Sequence, residues 1–171
     1  MCLLMPMTAQ AVVDDVLIYM KNGQQVMSYR LQDNGYFFSQ LNDMLKAGYK
    51  VRLTHVMQID QNGLFKRRVA KQKYTRILSF DSIEGQYTIE LDGKEIFSGT
   101  DKDAFKKQVL SVEEVQLHPK RDLKTGDEYK VYVWCRYEQL QADENSWLEM
   151  VTPERLWGKP RLEGEVLYIA R

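Results

Sequence analysis

Cysteine and histidine are both scarce, with two of each in 171 residues. Two cysteines cannot weave a disulfide framework or fill a four-thiolate zinc site. Two histidines leave little room for imidazole metal centres or catalytic triads, so neither a metal nor a cofactor is expected. Proline is also sparse, at four residues. No Pro-, Gly- or Ser-rich stretch divides the chain, which at this length is expected to hold one core. No stretch approaches the roughly 18–20 consecutive apolar residues of a membrane span. Net charge is absent as well, 24 Lys plus Arg balancing 24 Asp plus Glu. G-x-S-x-G, the P-loop, G-x-G-x-x-G and H-E-x-x-H are all missing. What remains is an ordinary globular composition, 44% hydrophobic and 28% charged, which excludes a disordered chain or a fibre.

The first residues run Met1-Cys2-Leu3-Leu4-Met5-Pro6-Met7-Thr8-Ala9-Gln10-Ala11. A short apolar stretch ends in the small-x-small pattern of a signal-peptidase site, but there is no Lys or Arg before Lys21. Residues 1–11 therefore read as the tail of a signal peptide, with Val12 as the first mature residue. An ordinary frayed terminus is the alternative. If the cut is made, Cys135 becomes the sole thiol. It alternates with Val131, Val133 and Tyr137 on an apolar strand face and is expected to be buried and inert.

The hydrophobic period is mostly two. Val12 to Met20 and Gln25 to Leu31 form a hairpin about Asn22-Gly23, a dipeptide that accepts φ > 0. Asp33-Asn34-Gly35 can cap a helix whose stripe is Phe37, Leu41, Met44 and Leu45, with Gly48 ending it. Tyr49 to Ile59 is a long strand with His55 on its apolar face. Strands follow at Lys73 to Asp81, Gln86 to Leu91 and Glu95 to Ser98. Thr100-Asp101-Lys102-Asp103 opens a second helix carrying Phe105, Val109 and Val112. Tyr129 to Gln139 is the clearest strand, and Val166 to Ala170 closes a sheet edge. About eight strands on short turns with two inserted helices predict a mainly β protein with two short helices (α+β) and antiparallel, sandwich-like packing. Residues 12–171 are expected to form this single domain, with 140–171 as an extension packing on it.

The order of these elements is familiar in detail. Ser28-Tyr29-Arg30-Leu31 ends the hairpin, and Ala47-Gly48 leads into Val51-Arg52-Leu53. Tyr74-Thr75-Arg76-Ile77-Leu78-Ser79-Phe80-Asp81 precedes Gly85-Gln86-Tyr87, and Leu123-x-x-Gly126 precedes Tyr129-x-Val131-x-Val133. From roughly Asp14 to Glu138 the chain resembles the bacterial exported family called domain of unknown function 4390. The resemblance implies a secreted or envelope protein and carries over no active-site residue.

Charge distribution is the main functional signal. Lys50 to Arg76 holds eight basic residues and one acid, whereas Asp81 to Asp103 holds seven acids and two lysines. The zero total thus hides a basic segment beside an acidic one. Lys66, Arg67, Arg68, Lys71, Lys73 and Arg76 form the candidate surface for an anionic partner, such as phospholipid head groups, lipopolysaccharide phosphates or an acidic envelope protein. The plain alternative is a solvated strand face protecting a sheet edge. Nucleic acid is not expected, because the pI is about 6.7 and export would separate the chain from it. Trp134, Trp147 and Trp157 form a candidate aromatic interaction patch, with core packing as the alternative for the last two. The adjacent acids Asp14-Asp15 and Glu113-Glu114 are expected on opposite strand faces, not as acid–base couples.

The leading expectation is a non-enzymatic periplasmic binding module. The alternative is a small-ligand carrier or hydrolase-type enzyme. It would have a pocket between the sheet and the helix Gly35 to Ala47, bringing in His55 and Asp60.

Overall fold

A computed structural model describes residues 9–10, 12–63, 67–121, 123–140 and 161–169. In chain order the elements are β1 Ala9–Gln10, β2 Val12–Lys21, β3 Gln24–Gln32, α1 Tyr36–Lys46, β4 Val51–Gln61, β5 Arg67–Asp81, β6 Gln86–Leu91, β7 Lys94–Gly99, α2 Lys102–Leu110, β8 Ser111–Gln116, β9 Glu128–Gln139 and β10 Arg161–Ile169. The mainly β, two-helix expectation is correct.

Two sheets form. The larger has the order β1-β10-β9-β4-β5-β6-β7 and the smaller β2-β3-β8. Every pairing is antiparallel except that of β1 with β10, where Ala9 and Gln10 run alongside Leu162 and Glu163. Residues 1–8 and 11, the rest of the expected signal remnant, lie outside the described residues. Residues 161–169 of the expected extension are a full strand of the large sheet, paired along β9 from Arg136 to Glu128.

Local chemistry explains the connections. At Asn22-Gly23 and Asp92-Gly93 both turn residues have positive φ, 48° and 77°, then 51° and 75°, the backbone that lets a two-residue loop follow the strand twist. Asp33 caps α1 by accepting from Phe37 N at 3.3 Å and Phe38 N at 2.9 Å. Asp101 caps α2 by accepting from Asp103 N at 2.8 Å and Ala104 N at 3.2 Å.

Three expected boundaries move, and backbone irregularities account for two of them. The second helix stops at Leu110, and Val112 is a buried residue of β8. No strand was expected there, because Glu114 sits at φ 53° in a bulge and the alternation is broken. The same bulge corrects the reading of Glu113-Glu114, since both side chains are exposed. β5 begins at Arg67 and not at Lys73, with a register shift opposite Ile59/Asp60 masking its first residues. β10 begins at Arg161 and not at Val166.

The core lies between the inner face of the large sheet, the small sheet and both helices. Phe37 of α1 meets Tyr137 of β9 edge-on at 5.0 Å, and Phe105 of α2 stacks on Tyr87 of β6 at 4.4 Å. Phe37, Phe38, Leu41 and Leu45 are buried along α1, and Asn42 accepts from the Tyr87 hydroxyl at 2.7 Å. These side chains pack α1 against the sheet, the interface at which the alternative reading placed a pocket.

Candidate functional site

Alternation along β5 sorts its cations. The register aligns Arg76 with Leu53, which pairs in turn with Tyr137, so Arg76 faces inward. Lys71 aligns with Gln58 and Lys73 with Val56, so both face outward.

The inward group lies at the centre of the molecule. Arg76 is 3% exposed. Its Nη1 donates to Gln108 O at 2.7 Å, and its Nη2 to Val109 O and Ser111 O at 3.1 Å each. These carbonyls terminate α2, so the guanidinium caps the negative end of the helix. Among the described residues no carboxylate takes part, and burial lowers the Arg76 pKa from its ordinary value. Arginine nevertheless stays charged in proteins, and it is neutralised here by aligned peptide dipoles.

His55 lies beside it, fully buried. Its Nε2 is 2.8 Å from Arg76 Nη2 and 2.9 Å from Val109 O, and its Nδ1 is 2.8 Å from the Tyr29 hydroxyl. With the proton on Nε2, the ring donates to Val109 and accepts from Tyr29. With it on Nδ1, the ring donates to Tyr29 and accepts from Arg76. A doubly protonated ring would face the guanidinium. Burial first, then the Arg76 charge, push the His55 pKa well below its ordinary value. Burial also raises Tyr29 well above its usual range and holds the Cys135 thiol protonated. Cys135 Sγ is 3.6 Å from His55 Nε2. A thiol beside an imidazole invites a catalytic reading, but both are fully buried. A nucleophile needs thiolate character and access. The cluster therefore ties the two sheets and α2 together.

The outward group forms the surface site. Arg68, Lys71 and Lys73 share the outward face and are exposed, while Arg67, aligned with Gln61, has the other parity and is exposed at the end of the strand. Among the described residues, the one ion pair they make joins Arg68 Nε to Asp60 Oδ1 at 4.0 Å. Lys71 Nζ stands 5.4 Å from the Trp134 ring centre on β9, a cation–π distance. Trp134 aligns with Val56, and Tyr132 with Gln58, so both aromatics share this face. Exposed Arg136, two residues from Trp134 on the same side of β9, extends the basic surface across the sheet. It was absent from the sequence-based set, although its parity with Trp134 was available.

One expected site residue is corrected. Arg76 is not on the anionic-partner surface, because it is buried on the inward face and its Nη1 and Nη2 donate to carbonyls at the end of α2. Lys66, Trp147 and Trp157 lie outside the described residues. His55 and Asp60 do not converge: His55 faces the core, while partly buried Asp60 accepts from Gln58 Nε2 at 2.9 Å.

The other acidic pair also meets a bulge, with Asp15 at φ 53°. On the outer side of the small sheet, Glu114 accepts from Tyr19 at 2.8 Å and pairs with Lys21. The hydrogen bond from Lys21, then that from Tyr19, hold the Glu114 carboxyl below its usual pKa.

The family described as Domain of unknown function (DUF4390) matches residues 9–143. No curated protein and no solved structure matches the chain.

Proposed function

The chain belongs to the family described as Domain of unknown function (DUF4390), and on that premise we propose that it is a non-enzymatic, periplasmic binding module of the bacterial cell envelope. Its partner is an acidic envelope protein or another anionic surface, and its contact face is the outer side of β5 and β9. The observation that carries this reading is the exposed row of Arg68, Lys71 and Lys73, with Arg67 exposed at the strand end beside it, which makes a single long ion pair among the described residues. Exposed cations with few internal partners keep their charge available to an external anion. Trp134 and Tyr132 beside them give the same face apolar contact area. The groups with the most displaced pKa values, Tyr29, His55 and Cys135, are sealed in the core, where they hold the scaffold together and reach no substrate. Export is supported by the Ala9-Gln10-Ala11 pattern, and the intact mass of the chain recovered from a periplasmic fraction tests it.

Binding is tested with the Arg67→Glu/Arg68→Glu variant and wild type. Both are applied to immobilised acidic polypeptide and to vesicles with and without phosphatidylglycerol. Wild type is expected on the anionic supports and is released as salt shortens the screening length from about 10 Å at 0.1 M to about 3 Å at 1 M. The variant is expected to bind at least tenfold more weakly, at about 1 kcal/mol per charge near an anionic surface. Equal retention of the two proteins overturns the proposal.

A further inference from the structure

Resting on the reading of the basic face, we propose that its acidic partner is a second copy of this chain. Two copies pair through the outer faces of their large sheets about a two-fold axis, the cations of β5 in one meeting carboxylates of β6 and β7 in the other. The register carries the outer face past Lys73. Ile77 aligns with exposed Arg52 and so faces outward, and in line with it stand Glu90 of β6 and Glu95 of β7. Glu90 and Glu95 are directly opposite each other, a placement in which like charges destabilise a sheet. Among the described residues neither makes an ion pair. On the same face Glu138 is already paired with Arg52 at 3.1 Å, and Asp60 with Arg68 at 4.0 Å. The face thus holds a cation row short of anions and a carboxylate pair short of cations, in a chain whose total charge is zero.

Between and beside the two patches the outer face is uncharged. Thr75 and Ile77 follow Lys73 on β5, and Ser79 aligns with Thr88 of β6 and Ser98 of β7. Side chains this small let two sheets approach to the usual spacing of about 10 Å. Lys73 and Ile77 are four residues apart, roughly 13 Å along the strand, so the cations and the carboxylate pair stand as separate patches. Two such patches on one face exchange partners about a two-fold axis midway between them, and a single interface then satisfies each patch twice. The midpoint falls at exposed Thr75, whose side chain meets its own copy there. An unrelated acidic protein satisfies the cations alone and leaves Glu90 and Glu95 uncompensated. A second copy satisfies both.

The test is analytical ultracentrifugation of the full chain from about 1 μM to about 1 mM, the range of weak complexes. Wild type is expected to reach twice the chain mass and no more. The dimer is expected to weaken at least tenfold as salt rises from about 0.1 M to about 1 M and the screening length shortens from about 10 Å to about 3 Å. Lys71→Glu/Lys73→Glu and Glu90→Lys/Glu95→Lys are each expected to self-associate at least tenfold more weakly, because like charges then meet. An equimolar mixture of the two is expected to dimerise again, since every patch then faces one of opposite sign. Thr75→Arg, at the axis, is expected to lose the dimer while keeping wild-type retention on immobilised acidic polypeptide. The proposal is overturned if wild type stays monomeric, if its mass climbs past twice that of the chain, if the mixture fails to associate, or if Thr75→Arg dimerises like wild type. A monomeric wild type that still binds acidic polypeptide removes the second copy and leaves the basic-face reading standing, whereas loss of both removes both.

Discussion

Arg76 and Lys73 are three residues apart on one strand and do opposite things. Lys73 stands in solvent, whereas Arg76 is 3% exposed and holds the end of a helix. Both add one to a segment charge count, yet one is committed to the interior and the other is available to a partner. What separates them is strand parity, which settles whether a cation meets water or carbonyl dipoles. Charge counted along a strand becomes informative only after it is divided by face.

The sharpest way to break this comparison is to remove each cation in turn. Arg76→Ala leaves the carbonyls of Gln108, Val109 and Ser111 without their buried donor. Stability is expected to fall by about 3–5 kcal/mol, the range for a buried charged group losing its partner. At about 2–4 °C per kcal/mol for a chain of this size, a thermal melt reads that directly. If the melt of Arg76→Ala matches that of an exposed-lysine variant, the division by face is wrong.

The next effect is a pH dependence confined to the inner group. The folded-state pKa of His55 is depressed, so the unfolded chain binds a proton that the folded chain refuses. The contribution is complete above the unfolded pKa of about 6.5. It is lost as pH falls below that value toward the folded pKa, at up to about 1.4 kcal/mol per pH unit. Chemical denaturation of wild type between pH 7 and 5 is expected to show this slope, and His55→Gln is expected to flatten it. An unchanged slope in the variant assigns the titration to another group.

Smaller still is the coupling between Lys71 and Trp134. A double-mutant cycle with Lys71→Ala and Trp134→Leu is expected to give about 0.5–1 kcal/mol, as for exposed cation–π pairs. Smallest is Lys73→Ala, expected within about 0.5 kcal/mol of wild type. A loss above 2 kcal/mol there would place Lys73 among the structural cations.

Much of the fold was legible because its signals are local. Asn22-Gly23 and Asp92-Gly93 have the positive φ angles that their types favour, and Asp101 caps the helix it was expected to start. The clean alternation of Val131, Val133, Cys135 and Tyr137 produced a buried strand face. Legibility failed where the backbone departs from its period. The bulge at Glu114 hid β8, and the shift near Asp60 hid the start of β5. The surface site was partly readable. Lys71 and Lys73 share one parity, but Arg76 shares the other with Leu78 and Phe80, and summing the segment merged the two. The His55 cluster was not readable, since Tyr29, His55, Arg76 and Val109 come from four separate elements. Only the sheet register and the docking of α2 bring them together.

The place of β4 in the large sheet also has a consequence in time. β4 pairs on one side with β5, its neighbour in sequence, and on the other with β9, some seventy residues downstream. The ribosome, at ~5–20 residues per second, delivers the β4–β5 hairpin seconds before β9 exists. During that interval Val51, Leu53, Val56, Met57 and Ile59 lie along an open backbone edge, the kind of surface on which nascent chains pair with one another. Arg68, Lys71 and Lys73 already line the adjoining strand by then, and like charges keep two such hairpins apart. Until β9 docks, these cations are the charges beside the edge of β4 that is left open.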